Sequence, residues 1–198
     1  GHKDEKAIYA NVLKYYTIFS LFCFLCITYF IDIIKYFIGT DYHEGSHIIP
    51  LLAIAYVFHG IVFNLSMWYK LANKTKIGAY ITIIGTTITV IINILLIPTL
   101  GYLASAIAAV CCYSTMAFIS YILGQKYYKV PYDIKSIFIY ILITLSLHAF
   151  VYIFIDFNIY VKYLLFCIFT AGYLFIVLYR EKELYLSLKK YLTKPVRR

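Results

Sequence analysis

The chain has 198 residues, of which 63% are hydrophobic, and its mean hydropathy is +0.82. Soluble domains average roughly 45–50% apolar residues, so the composition excludes an ordinary soluble domain and favours an integral membrane protein. The formal net charge of +9 does not indicate a nucleic-acid partner on so apolar a chain. Basic residues of membrane proteins usually mark the cytoplasmic ends of their helices.

The apolar residues fall into long stretches separated by short breaks. A bilayer core requires about 20 apolar residues per helix, and six stretches of the chain meet this requirement. The sequence therefore predicts an all-α integral membrane protein, with Pro50 in the first turn of its second helix. The six predicted transmembrane helices span residues 12–34, 48–69, 77–98, 101–123, 135–155 and 159–179.

The break between the third and fourth stretches is the tetrapeptide PTLG, residues 98–101. Pro98 cannot donate a backbone hydrogen bond, and we expect it to stop the third helix. Gly101 permits the turn, and small residues at helical spacing then let the fourth helix pack closely against a neighbour. These small residues are Ser105, Ala108 and Cys112.

Short breaks force successive helices to run antiparallel, so the loops must alternate between the two sides of the membrane. Sixteen Lys and Arg residues fall on one side and only Lys35 and Lys162 on the other. The positive-inside rule then predicts that both termini of the chain lie in the cytoplasm. Residues 1–180 form the transmembrane part, and residues 181–198 either lie as a basic amphipathic helix on the membrane surface or form a solvated tail.

Catalytic and metal-binding patterns are missing from the sequence. All five cysteines lie inside apolar stretches and are interpreted as small apolar residues. None of the nine carboxylates falls in the middle of a predicted helix, and no phosphate loop, zinc motif or nucleophile elbow occurs. We therefore predict no enzyme activity, no catalytic residue, no metal and no cofactor.

Polar residues inside transmembrane helices are costly and suggest function. His59, Ser66 and Lys70 of the second helix lie within roughly 40° of one another at 100° per residue. This face is predicted to line a cavity, and a cavity with His and Lys but no acid favours an anionic ligand such as a phosphate. A similar stripe on the third helix is open to two interpretations, helix packing or a cavity wall. It comprises Thr82, Thr86, Thr89 and Asn93.

Three segments carry a resemblance to a known family. They are IIPLLAIAYVFHGIVFNLSMWYKLANKT (48–75), IGAYITIIGTTITVIINILLIPTLGYLASAIAAVCCY (77–113) and SYILGQKYYKVPYD (120–133). In this order and spacing they resemble the bacterial polysaccharide and O-antigen flippases of the multidrug, oligosaccharidyl-lipid and polysaccharide exporter superfamily. The chain departs from the family's Gly-x-x-Gly pattern at Ala104, which stands in the place of the second glycine.

The resemblance implies both an architecture and a function. The six helices would form the C-terminal lobe of a two-lobe exporter whose N-terminal lobe is missing from this chain. The transporter would flip an undecaprenyl-diphosphate-linked oligosaccharide across the bacterial inner membrane by alternating access, for O-antigen or capsule assembly. Its partners would be this lipid-linked substrate, the missing lobe and membrane lipids. The substrate-binding residues that it implies are His59, Asn64, Trp68 and Lys70 on the second helix, with Thr86 and Asn93 on the third.

Three alternatives differ from this reading. For a non-transporting scaffold of polysaccharide assembly, His59→Ala and Lys70→Ala would leave export unchanged, whereas loss of the tail would disrupt the recruitment of partners. A multidrug exporter of the same superfamily is disfavoured by the missing acid in the middle of a helix. A membrane glycosyltransferase or acyltransferase needs catalytic residues near a membrane face, and Asp32, Asp41 and Glu44 do not form a persuasive set.

Overall fold

A computed structural model describes residues 2–35, 45–153 and 159–181, and within these ranges the chain forms α-helices and no strand. The predicted break at 156–158 and residues 182–198 of the predicted tail lie outside the described residues. The helices are α1 (His2–Tyr29), α2 (Ile31–Ile34), α3 (Ile49–Leu65), α4 (Met67–Leu71), α5 (Thr75–Leu100), α6 (Tyr102–Tyr127), α7 (Ile134–Ile153) and α8 (Ile159–Arg180).

Among the described residues, six helical segments are long and apolar enough to cross a membrane, which confirms the predicted all-α membrane fold. Pro50 lies in the first turn of α3, as predicted, because its missing N–H has no intrahelical partner there in any case. The six segments are Glu5–Tyr29, Gly45–Leu71, Thr75–Leu100, Tyr102–Tyr127, Ile134–Val151 and Tyr163–Arg180.

The first helix differs from its prediction at both ends. It begins at His2 rather than near residue 12, since the polar residues that open the chain continue the same helix. Its 28 residues correspond to about 42 Å at 1.5 Å per residue, more than the ~30 Å of a hydrocarbon core. It ends at Tyr29, and Phe30 separates it from the short helix α2.

The turn between α5 and α6 corrects a second prediction. Pro98 does not stop α5, because it lies inside the last turn of a helix that continues to Leu100. The chain reverses at Gly101, whose φ of +54° and ψ of −134° define a backbone conformation that side chains disfavour. The Gly101 N–H still donates to the Ile97 carbonyl at 2.9 Å, which closes the last turn of α5.

The chain divides into two compact units, residues 1–140 and residues 141–198. In the first unit, α3 packs between α1 and α6, and α6 also packs against α5. In the second unit, the end of α7 contacts α8 through the rings of Phe150 and Phe169, whose centroids are 5.5 Å apart. Tyr173 of α8 is fully buried.

Ring contacts identify the two ends of the first unit. The Lys6 ammonium lies 4.4 Å from the ring centroid of Tyr128, so α1 begins where α6 ends. At the opposite end, the rings of His47 and Tyr102 lie 5.5 Å apart, where α3 and α6 begin. The alternation of loops predicted for the first four spans is thus present. We call the first of these the basic end, defined by Lys6, Lys70, Lys74, Lys126 and Lys129.

Candidate functional site

A cavity of about 500 Å³ opens between α3, α4, α5 and α6 of the first unit. This volume falls within the roughly 300–1,000 Å³ that is typical of small-molecule sites. We call it the polar cavity. It is lined by His59, Val62, Phe63, Ser66, Tyr69, Lys70, Thr82, Thr86, Thr89, Cys112, Tyr113 and Met116.

His59 and Lys70 lie together in the wall of the polar cavity, and Lys70 gives this side its positive charge. The His59 ring packs 4.7 Å from the Tyr113 ring, centroid to centroid, and meets the Tyr56 ring edge-on at 6.2 Å. The Lys70 ammonium lies 5.5 Å from the ring centroid of Phe63. Both side chains are exposed, and no lining residue that the structure describes is acidic. The wall can therefore attract an anion.

The helical path continues between these two residues from α3 into α4. α3 ends at Leu65 and α4 begins at Met67, and Ser66 between them keeps helical backbone angles, with its N–H donating to the Val62 carbonyl at 2.9 Å. The Ser66 hydroxyl donates to the Phe63 carbonyl at 2.6 Å, and such back-bonding from serine often bends helices.

The opposite wall is a stripe of threonines on α5. Thr86 donates to the Thr82 carbonyl at 3.0 Å, and Thr89 donates to the Gly85 carbonyl at 3.0 Å. Thr82 likewise donates to the Gly78 carbonyl at 3.1 Å. Because each hydroxyl hydrogen is used within the helix, the oxygen lone pairs remain to accept hydrogen bonds in the cavity. This wall suits a ligand rich in hydroxyl groups.

One side of α5 packs against α6, and another side lines the polar cavity. Gly85 approaches α6 so closely that a Cβ there would overlap the Met116 sulfur and lie 3.0 Å from the Cys112 sulfur. Ala108 and Cys112 of the predicted small-residue face are buried. The glycine side of α5 therefore packs against α6. Of the predicted polar stripe, Thr82, Thr86 and Thr89 line the polar cavity, whereas Asn93 bonds to Ser105 of α6.

Three residues predicted to line the cavity are absent from its wall in the part of the chain described. Asn64 donates from its side-chain amide to the Gly60 carbonyl of its own helix at 2.9 Å. Asn93 accepts a hydrogen bond from the Ser105 hydroxyl at 3.1 Å and so links α5 to α6. Trp68 belongs to a different region. Of the predicted residues, the polar cavity brings together His59, Lys70 and Thr86.

Trp68 is the centre of a packed group that we call the Trp68 cluster: Trp68, Ser120, Gly124 and Tyr127. The indole is 1% exposed, and its Nε1–H donates to the Ser120 hydroxyl at 3.0 Å. Its ring stacks on that of Tyr127 at 6.0 Å and 13°. A Cβ on Gly124 would lie 2.9 Å from the indole Cδ1. The indole therefore fastens α4 to α6.

Sequence reasoning missed Tyr113, which packs on His59 across the cavity. Tyr113 is one of 23 tyrosines, and nothing in its spacing marks it. It follows Cys112, a member of the predicted small-residue face, by one residue. Only the pairing of α3 with α6 brings its ring to His59.

The fold and the cavity define a multi-pass helical membrane protein. The protein-family model MatE matches residues 2–95, slightly under half of the chain. The match includes the α3, α4 and α5 walls of the polar cavity, and it supports a membrane exporter of the multidrug, oligosaccharidyl-lipid and polysaccharide exporter superfamily. No curated protein and no solved structure gives a significant match to the chain.

Proposed function

We propose that this chain is part of a transporter that flips lipid-diphosphate-linked oligosaccharide across the bacterial inner membrane. The polar cavity carries this proposal, because its two walls offer complementary chemistry. His59 and Lys70 suit the diphosphate, whereas the lone pairs of Thr82, Thr86 and Thr89 suit the hydroxyl hydrogens of sugars.

The acid-poor lining supports this substrate over the cationic drugs that a multidrug exporter would carry. A drug cation would need a carboxylate or an aromatic face to replace its hydration. The cavity offers Phe63, Tyr69 and Tyr113 as faces, but the Lys70 ammonium would repel such a ligand. The same ammonium would attract an anionic ligand.

The orientation of the chain is also part of the proposal. The excess of Lys and Arg on one side of the predicted topology supports a cytoplasmic position for the basic end and for both termini of this segment. A flippase loads its lipid-linked substrate on that side. Lys70 is near the basic end and His59 lies eleven residues deeper, so the diphosphate would meet Lys70 first.

Cysteine labelling from outside intact cells tests the orientation. A cysteine introduced by His47→Cys should be modified, and one introduced by Lys129→Cys should be spared. The reverse pattern would overturn the orientation.

Export in cells tests the function. A strain lacking its polysaccharide flippase is complemented with the intact gene, and lipid-linked polysaccharide at the cell surface is measured. The His59→Ala, Lys70→Ala double variant should lower surface polysaccharide on the order of tenfold or more, since each charged contact is worth roughly 1.5–3 kcal/mol.

The matched control removes the same two residue types away from the cavity. In His47→Ala, Lys76→Ala, one histidine and one lysine are lost, both from exposed positions, and export should persist. Equal export by the two double variants, at equal membrane levels, would contradict the proposal and favour a scaffold. Drug export without polysaccharide export would favour a multidrug exporter instead.

A further inference from the structure

A second cavity lies at the basic end of the first unit, where α1 begins and α6 ends. Its volume is about 420 Å³, again within the range of small-molecule sites, roughly 300–1,000 Å³. The first turns of α1, the last turns of α6 and the loop that precedes α7 form its walls. The lining includes Lys6, Tyr121, Gln125, Lys129, Pro131 and Tyr132.

The loop wall of this cavity is held in place by hydrogen bonds. The Gln125 side chain donates to the Val130 carbonyl at 2.8 Å, and the Tyr132 N–H donates to the same carbonyl at 2.9 Å. Val130 itself is buried. The neighbouring carboxylate of Asp133 accepts the Ser136 N–H at 3.2 Å and so caps α7. These hydrogen bonds therefore fix the loop wall of the cavity.

The chemistry of the cavity is that of an anion site. Lys6 and Lys129 line it, and none of its described lining residues is acidic. Tyr121 and Tyr132 place their rings 6.3 Å apart on its wall. Burial, and to a lesser degree the charge of Tyr128, raise the pKa of Tyr132 to about 12. A tyrosine phenol is protonated at physiological pH with or without this shift, so Tyr132 can act as a hydrogen-bond donor there.

An apolar track leads from this cavity along α6 toward the middle of the membrane. Ile122 and Phe118 lie three and seven residues before Gln125, which places them on the same side of the helix. Their side chains are 49% and 65% exposed, respectively. Lysine and tyrosine side chains at the end of a transmembrane helix lie at the level of lipid headgroups, and the exposed apolar side chains beside them lie at the level of the acyl chains.

We propose that this cavity binds the phosphate of an anionic glycerophospholipid headgroup. Lys6 and Lys129 contact the phosphate oxygens, Tyr121 and Tyr132 surround the glycerol, and the acyl chains follow Ile122 and Phe118. The site shares no residue with the polar cavity and holds a structural lipid rather than cargo. The proposal of a lipid site does not depend on the proposed transport function.

Native mass spectrometry of the delipidated protein in detergent tests this site. Phosphatidylglycerol and phosphatidylcholine with identical acyl chains are titrated separately. The unaltered protein should bind phosphatidylglycerol about tenfold more tightly or better, since each lysine near anionic lipid strengthens its attraction. The Lys6→Gln, Lys129→Gln variant should lose most of that preference, and equal binding of both lipids by the unaltered protein would overturn the proposal.

The matched control is Lys76→Gln, Lys126→Gln, which removes two charges from the same end but from outside the cavity. It should keep the preference, and an equal loss in both double variants would show general surface attraction and overturn the site. Lys6→Arg, Lys129→Arg should restore binding. If the Lys6→Gln, Lys129→Gln variant does not fold, the loss of the preference for phosphatidylglycerol is measured in Lys129→Gln alone, which changes an exposed loop position.

A competition arm separates a lipid from a soluble anion. Inorganic phosphate or glycerol 3-phosphate at millimolar concentration should displace phosphatidylglycerol only weakly, because neither uses the apolar track. Full displacement by inorganic phosphate at that concentration would overturn the lipid assignment. Replacement of Ile122 by Asn should weaken lipid binding several-fold and leave phosphate binding unchanged, whereas unchanged lipid binding would count against the acyl-chain path.

Discussion

The polar cavity and the Trp68 cluster meet on the same short helix, α4, and use it in opposite ways. Lys70 follows Trp68 by two residues, a rotation of roughly 200° at 100° per residue. Lys70 is exposed in the cavity, whereas Trp68 is 1% exposed against α6. The resemblance assigned both residues to one binding site, but only Lys70 lines the polar cavity, whereas Trp68 packs inside the fold.

The comparison teaches how stability and function are separated within this unit. Lys70 and Thr86 of the cavity wall are exposed, so their removal costs little packing. The cluster is filled by an aromatic ring against a glycine and a serine, so any change in volume affects the packing. The unfolding free energy should therefore change when the cluster is altered and stay nearly the same when Lys70 or Thr86 is removed.

The largest expected effect is that of Trp68→Ala. Loss of a fully buried aromatic side chain typically costs about 3–5 kcal/mol, and the variant also loses the hydrogen bond to Ser120. Lys70→Ala should change the unfolding free energy by less than about 0.5 kcal/mol, as exposed positions usually do. Denaturant unfolding in detergent micelles measures both, and a larger loss in the lysine variant would reverse the roles of the two regions.

A smaller effect is expected from Gly124→Ala. The new Cβ would lie 2.9 Å from the indole Cδ1, so the ring must move, and overpacking typically costs about 1–3 kcal/mol. Gly172→Ala on α8 is the control, because the same methyl group meets no atom of the described residues within 4 Å. There alanine should be neutral or stabilise the helix by up to ~1 kcal/mol. Equal shifts in thermal midpoint would mean that Trp68 is not tightly held.

Ser120→Ala isolates the hydrogen bond within the cluster. The indole N–H would lose its acceptor at a buried position, at a cost of about 1 kcal/mol, between the ~0.6 of an average interhelical bond in membranes and the 1–3 of an unsatisfied buried group. Trp68 is the single tryptophan of the chain, so its fluorescence maximum reports the change directly. Ser114→Ala should leave the emission unaltered, since that hydroxyl bonds to its own helix at Val110.

Much of the fold could be predicted because the bilayer restricts the choices. A run of about 20 apolar residues can satisfy its backbone in lipid only as a helix or a closed barrel, so composition gave the six spans. The ends of the helices were harder to predict. Pro98 lacks an N–H but fits the last turn of α5. The chain reverses its direction only at Gly101, where the backbone has a positive φ.

The candidate site was predictable only where helical periodicity decides the matter. His59, Lys70 and Thr86 face the polar cavity because their spacings keep them on the inner sides of adjacent helices. Trp68 could not be excluded in the same way, since its partner Ser120 lies 52 residues away. Spacing along one helix says which residues share a face, and the residues of the next helix decide whether that face is packed or open. Substrate binding by these residues stays a prediction.

The smallest perturbation tests whether the polar cavity holds water. Thr86 and Thr87 are adjacent on α5, and both hydroxyls bond to their own helix, at Thr82 and Ile83. Only Thr86 lines the cavity. In a background whose five cysteines are replaced by alanine, Thr86→Cys should react with a charged, water-soluble thiol reagent several-fold faster than Thr87→Cys. The reactive thiolate forms in water and is disfavoured in an apolar environment. Neither change should alter unfolding by more than about 0.5 kcal/mol, so equal labelling rates would refute an aqueous cavity without invoking loss of structure.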